Sequence, residues 1–191
     1  MLKTHNKPYT NTLAKTHLMT NKYFIIILII LGFQLNSSAQ KDDNIFTIYL
    51  VRHSEKNLAA NNSSDSPLTE CGAQRSEFLD NFLQDIAIEA IYSTDYGRTK
   101  KTALPTAQSK ELEIQEYSAT DLECFSKVLI DRKQDALVVG HSYTTGVLAG
   151  LLAEEAIDDI DLDIYDRIYQ VVFYKKAGRL HLLHSAFVCN D

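Results

Sequence analysis

Apolar and polar positions along the chain fall into short blocks of two kinds. Strand candidates, most of them apolar, occupy residues 45–51, 90–92, 114–117 and 136–139, and a final pair, 169–174 and 180–188, flanks the turn KKAGR. Between the first four lie stretches of helical period. In EFLDNFLQDI the residues Phe78, Phe82, Leu83 and Ile86 recur at helical spacing, and Leu122, Phe125, Val128 and Leu129 do so in LECFSKVLI. TTGVLAGLLAEEA is apolar almost all round, the pattern of a buried helix. Strands alternating with helices over short connections predict an α/β three-layer sandwich: a largely parallel central sheet, helices on both faces, and a C-terminal antiparallel hairpin at the edge. The polar stretch NLAANNSSDSP, residues 57–67, reads as a loop.

The beginning of the chain breaks this pattern and reads as an address. Residues 1–39 hold Lys3, Lys7, Lys15 and Lys22 and no acid, then the apolar run YFIIILIILGF, then QLNSSAQ. That is the order of a secretory signal, with Ser37 and Ala39 as the small residues before a cut that leaves Gln40 first. Met19 begins a segment of ordinary signal length. The uninterrupted run 24–31 is far short of the roughly 20 residues that span a bilayer. The expectation is an exported protein, periplasmic or secreted, with no stable membrane anchor after cleavage, and residues 40–191 as a single domain.

Charge and cysteine content narrow the partners. Setting aside the 4 lysines of the leader leaves 15 of 19 basic residues against 25 acidic ones, a formal charge of −10. Such a balance excludes nucleic acid and anionic membrane as natural partners, so an anionic substrate needs a local positive pocket. Cys71, Cys124 and Cys189 are far apart and lack C-x-x-C spacing, which fits neither a zinc site nor a disulfide framework. Burial as small hydrophobes is the expected state, with one pair able to form in an oxidising compartment.

In open α/β sheets, ligands bind beyond the carboxyl ends of the strands. Arg52 and His53 follow the first strand, STDYGRTKK with Arg98 the second, SATDLE with Asp121 and Glu123 the third, and GHS with His141 and Ser142 the fourth. One such residue alone would read as structural, but two histidines and two arginines at equivalent strand ends form a pattern. Arginine grips phosphate oxygens bidentately and stays charged. A histidine with one nitrogen unprotonated can attack phosphorus in line, giving a phosphohistidine that water hydrolyses. Fixed cations stabilise the charge on the equatorial oxygens. No metal or other cofactor is called for.

At these residues the sequence resembles the histidine phosphatase superfamily, the phosphoglycerate mutase-like fold. VRHSEK resembles its Arg-His-Gly motif, PLTECGAQRS the segment that follows, YSTDYGRTKKTA its second-arginine segment and VVGHS its second-histidine strand. The resemblance runs from about residue 45 to residue 142. It implies His53 as the phospho-accepting nucleophile, Arg52 and Arg98 as the phosphate clamp, and His141, with Ser142 beside it, as further phosphate ligands. Ser54 stands where the family most often has glycine. Arg98 and His141 are 43 positions apart, too few for a capping insertion, so the pocket is expected to be open and shallow. For the proton donor to the leaving oxygen the candidates are Asp121 and Glu55. Asp121 also reads as part of a capping box in which Thr120 caps and Glu123 reciprocates, and Glu55 as a partner of Arg52 or Arg98. The expected substrate is a small phosphomonoester or a phosphorylated protein side chain.

Two rival readings remain. VVGHSYTTG resembles the nucleophile elbow of an α/β-hydrolase, with Ser142 as nucleophile, an acid within residues 158–166, and His181 or His184. Thr144 replaces the second glycine of that motif, and Arg52, His53 and Arg98 stay unexplained. An exported phosphate-binding module without turnover would carry the same pocket residues.

Overall fold

The structure, a computed structural model, describes residues 45–59, 64–157 and 160–189. They belong to one unit, Asp42–Asp191. The expected signal segment, with Met19 and Gln40, lies outside the described residues, as does Asp158. Among the described residues no helix is long and apolar enough to cross a membrane.

Six strands form one sheet: β1 (Ile45–Arg52), β2 (Ala90–Ser93), β3 (Ile114–Glu116), β4 (Ala136–Gly140), β5 (Arg167–Tyr174) and β6 (Ala177–His184), in the order β3-β2-β4-β1-β5-β6. The first four run parallel, and β5 and β6 are antiparallel. β1 and β4, buried on both faces, carry the largely apolar runs that this position demands, β1 being interrupted at Thr47. Ile48, Leu50 and Leu137 are wholly buried, each worth about 1.5–3 kcal/mol of transfer free energy. Successive β1 residues point to opposite cores. Phe46, Ile48 and Leu50 meet the layer of α3 (Leu122–Arg132) and α4 (Ser142–Ala153), while Tyr49 and Val51 meet the layer of α1 (Glu70–Phe82) and α2 (Gly97–Ser109). The three-layer sandwich with a largely parallel sheet is therefore the observed fold.

Four local expectations are corrected. α2 is a helix that hydrophobic periodicity does not announce, because its buried face is Thr99, Thr102, Ala103, Thr106 and Ala107, and Pro105 sits inside it. α4 is not buried all round: Thr144, Thr145, Leu148, Ala149 and Leu152 face inward, but Tyr143, Val147 and Leu151 are exposed. The hairpin turn is only Lys175-Lys176, with Tyr174 paired to Ala177 and Lys175 at φ 59, and β6 ends at His184 rather than at residue 188. Cys71 and Cys189 are joined in a disulfide with Cα atoms 5.6 Å apart, and Cys124 is exposed, so none is a buried small hydrophobe.

Candidate active site

Register brings the strand ends together. Arg52 of β1 pairs with Gly140 of β4, and the His53 amide donates to the Gly140 carbonyl at 2.9 Å, so His53 and His141 leave the sheet side by side. Their rings lie 5.6 Å apart. Ser93 of β2 pairs with Val139, which delivers Thr94 to the same rim. A Cβ on Gly140 would stand 2.6 Å from Thr144 Oγ1 and 2.7 Å from the Tyr117 hydroxyl, so the sharp passage from β4 into α4 admits no side chain there. β5 runs opposite to β1, so its first residues and the loop before it reach this rim as well.

His53 is 3 % exposed, and its Nδ1 stands 2.8 Å from the Ser54 carbonyl. A carbonyl only accepts, so Nδ1 carries the proton and Nε2 keeps its lone pair. Burial pushes the ring's pKa down to about 3; the Ser54 bond, the next largest effect, opposes it, and Arg52, Arg98 and His141 add smaller lowering effects. The imidazole is thus neutral at any physiological pH, the form a nucleophile needs. Ser54 does not intrude on the pocket. Its Oγ lies 3.1 Å from Ser76 Oγ of α1, and its amide donates to Thr102 Oγ1 of α2, which pins the nucleophile's loop to both helices.

His141 is equally buried, and its Nε2 lies 3.0 Å from Thr94 Oγ1. Thr99 Oγ1 donates to the carbonyls of Thr94 and Tyr96, so it can only accept from Thr94. Thr94 therefore accepts from His141 Nε2–H, which fixes the tautomer. Burial, then Arg98, Arg52 and Lys56, push His141 down to about 4, with Asp65 opposing.

The two arginines are held from outside the pocket. Arg52 Nη1 donates to the carbonyls of Asp161, Leu162 and Ile164 at 3.2, 2.9 and 3.0 Å, and its guanidinium lies 4.1 Å from the Tyr165 ring. Burial lowers its pKa from the usual arginine value. Arg98 Nη1 donates to the Ser64 carbonyl and Asp65 Oδ1 at 3.1 and 3.2 Å, and its guanidinium lies 4.4 Å from the Tyr96 ring. Asp65 also accepts the Gly97 amide at 2.7 Å. Although burial opposes it, that amide and the Arg98 guanidinium hold the Asp65 carboxyl below its ordinary value. Both arginines keep a buried Nε without a hydrogen-bond partner, two of the four such side-chain atoms among the described residues. Buried donors of this kind are costly unless an acceptor meets them, and a tetrahedral oxyanion supplies acceptors on several sides.

Glu55 faces neither Arg52 nor Arg98. Both its oxygens accept from Arg75 of α1, at 2.6 to 3.0 Å, and Arg75 also packs against the Phe187 ring. With both oxygens taken by Arg75, Glu55 is a structural brace behind the His53 loop. Asp121 is itself the N-cap of α3, accepting the Cys124 amide at 3.2 Å, in place of the expected Thr120. It lines a groove with Val147 and Leu151, down α4 from His141, and no described bond joins it to the histidines or arginines. The structure gives both carboxylates other work.

Ser142 opens α4 directly after His141, where the helix's first amides and positive end face the pocket. Its φ is not positive, so the strained turn of a nucleophile elbow is missing. His184 pairs with Asp166 at 2.8 Å on the β5–β6 edge. The esterase reading loses its geometry. Sequence reasoning missed Thr94, Arg75, Asp65 and Tyr165. The first two lie within quoted motif segments and were legible there. Tyr165 had no signal, because it depends on β5 running antiparallel.

Residues 48–120 match the family profile described as histidine phosphatase superfamily (branch 1). A curated relative from Salmonella choleraesuis named "Probable phosphoglycerate mutase GpmB" is 41 % identical over 66 residues, covering 32 % of this chain and 31 % of the relative. The chain thus matches about a third of the length of such relatives. Among solved structures, the protein histidine phosphatase SixA complexed with tungstate superposes with a TM-score of 0.61 at 18 % identity, covering 73 % of this chain and 97 % of that one. The alpha-ribazole phosphatase from Shigella flexneri gives 0.61 at 14 % identity, covering 76 % and 100 %. At these identities the structures speak for the fold.

Proposed function

We propose that this chain, a member of the histidine phosphatase superfamily, hydrolyses a phosphomonoester or a phosphorylated protein side chain through a covalent phosphohistidine on His53. The single observation that carries this reading is the state of His53: buried, neutral, proton on Nδ1, lone pair on Nε2, beside two fixed guanidiniums. Arg52 and Arg98 clamp the phosphoryl oxygens, and Ser142, the start of α4 and His141, which must turn its Nε2–H from Thr94 to a phosphoryl oxygen, complete the cradle. Nε2 of His53 forms the bond to phosphorus as the ester oxygen leaves, and water then releases phosphate and restores the ring. With Glu55 and Asp121 otherwise engaged, the leaving oxygen takes its proton from solvent at the open rim, so activated aryl esters react much faster than alkyl esters. The guanidiniums supply the charge stabilisation a metal would otherwise bring. Among the described residues one group could gather around a metal ion, Glu55, Cys71 and Cys189, but its two sulfurs are bonded to each other. The disulfide supports export to an oxidising compartment.

The test is a phosphatase panel on residues 40–191 with intact-mass analysis at alkaline pH. Wild type is expected to gain one phosphoryl group, stable to alkali and lost in acid, and His53→Ala to lose both the adduct and turnover. Arg52→Ala and Arg98→Ala should each cost roughly 100-fold or more. Phosphate binding without turnover would establish the binding-module alternative, and near-normal turnover in His53→Ala would overturn the assignment.

A further inference from the structure

Tyr143, Val147 and Leu151 stand at successive turns of α4 and form one exposed apolar ridge, at 52, 37 and 36 % exposure. The ridge begins at the pocket, since the Tyr143 ring stacks on His141 at 5.3 Å and 10°. Tyr96 and Tyr165, the other rings at the rim, already carry guanidiniums on their faces. Val147 and Leu151 also wall a groove on each side of the ridge. One, of about 470 Å³, is closed by Gly150, Glu154, Glu155, Ala156 and Ile157. The other, of about 330 Å³, is closed by residues 119–123, including Asp121 and Glu123. Among the described residues no basic one lines either groove. An apolar ridge between two acidic grooves, continuous with a phosphate pocket, is more than the scattered single hydrophobics of an ordinary surface.

We infer that this ridge docks a phosphorylated polypeptide whose segment beside the phosphorylated residue carries an apolar anchor flanked by lysine or arginine. This rests on the phosphatase reading and names its substrate class as protein. Charge complementarity selects the occupant: acidic groove walls repel an acidic segment and attract a basic one, and the ridge buries an apolar side chain. Eight residues of helix separate Tyr143 from Leu151, about 12 Å. An extended chain covers that distance in about three to four residues, which sets the spacing between phosphorylated residue and anchor.

Synthetic phosphotyrosyl peptides test this, with leucine and lysines three and four residues to either side of the phosphotyrosine, against the same peptides with serine and glutamate there. p-Nitrophenyl phosphate reports the bare chemistry. The leucine–lysine peptides are expected to show kcat/KM about tenfold higher or more, the worth of one partly buried leucine. Glu123→Lys/Glu155→Lys and, separately, Leu151→Ser should erase that preference while leaving p-nitrophenyl phosphate turnover unchanged. Turnover of p-nitrophenyl phosphate without peptide preference, or a preference that survives both variants, overturns the docking surface alone. Absence of turnover on every substrate overturns the phosphatase reading and this one with it.

Discussion

Acid should destabilise this protein through its two pocket histidines. In the unfolded chain each titrates near 6.5, whereas in the fold His53 is held at about 3 and His141 at about 4. A base whose folded pKa is depressed contributes fully to stability above the unfolded value. That contribution is lost as pH falls, because the unfolded state binds protons that the folded state refuses. The loss starts near pH 6.5, approaches about 1.4 kcal/mol per pH unit for each ring, and stops only near pH 4 to 3. At pH 5 it amounts to about 2 kcal/mol per histidine, or about 4 for the pair, a large share of the 5–15 kcal/mol typical of a domain. Urea unfolding at pH 7 and pH 5 in phosphate-free buffer measures it. His53→Asn/His141→Gln is the control: each amide nitrogen sits where the imidazole N–H was, toward the Ser54 carbonyl and Thr94 Oγ1 respectively, and neither side chain titrates. Wild type should lose several kcal/mol between the two pH values, and the double variant much less. If wild type changes by under about 1 kcal/mol, or the double variant falls as far, the rings are not held neutral and the argument for His53 as a ready nucleophile fails.

Two predictions concern the support of the site. Arg75→Ala should cost about 2–3 kcal/mol by stranding the mostly buried Glu55 carboxylate, and adding Glu55→Gln should restore part of that. Simple additivity in chemical denaturation would show that the pair is not coupled. The Cys71–Cys189 disulfide closes a loop of 118 residues, worth up to about 5 kcal/mol by chain entropy, so reductant or Cys71→Ser should lower Tm strongly. Thiol labelling of the denatured protein should find one free cysteine, Cys124, before reduction and three after. Three free thiols without reductant would refute the bridge.

What the sequence determined by itself was whatever is encoded locally or by strand position. The largely apolar runs of β1 and β4 marked them as strands of a covered, parallel sheet, since strands buried on both faces read as near-continuous apolar runs. The polar residues immediately after those runs marked Arg52, His53, His141 and Ser142 as one rim, since parallel strands put their ends on the same side. Arg98 was marked by its place after the second strand and by its motif, although the polar face of α2 hid the helix that carries it. Tertiary structure decided the rest. Asp121 and Glu55 were both near a strand end in sequence, yet one caps α3 and the other is taken by Arg75. A side chain's role depends on which partner lies within about 3 Å, and for Glu55 that partner comes from a helix 20 residues away. Likewise, Arg52 is aimed by carbonyls from residues 161–164, and Cys71 meets Cys189, because β5 returns antiparallel beside β1 and the chain end after β6 crosses to α1. Contacts across 100 residues or more leave no periodicity in the sequence. They exist only once the sheet order brings those segments together.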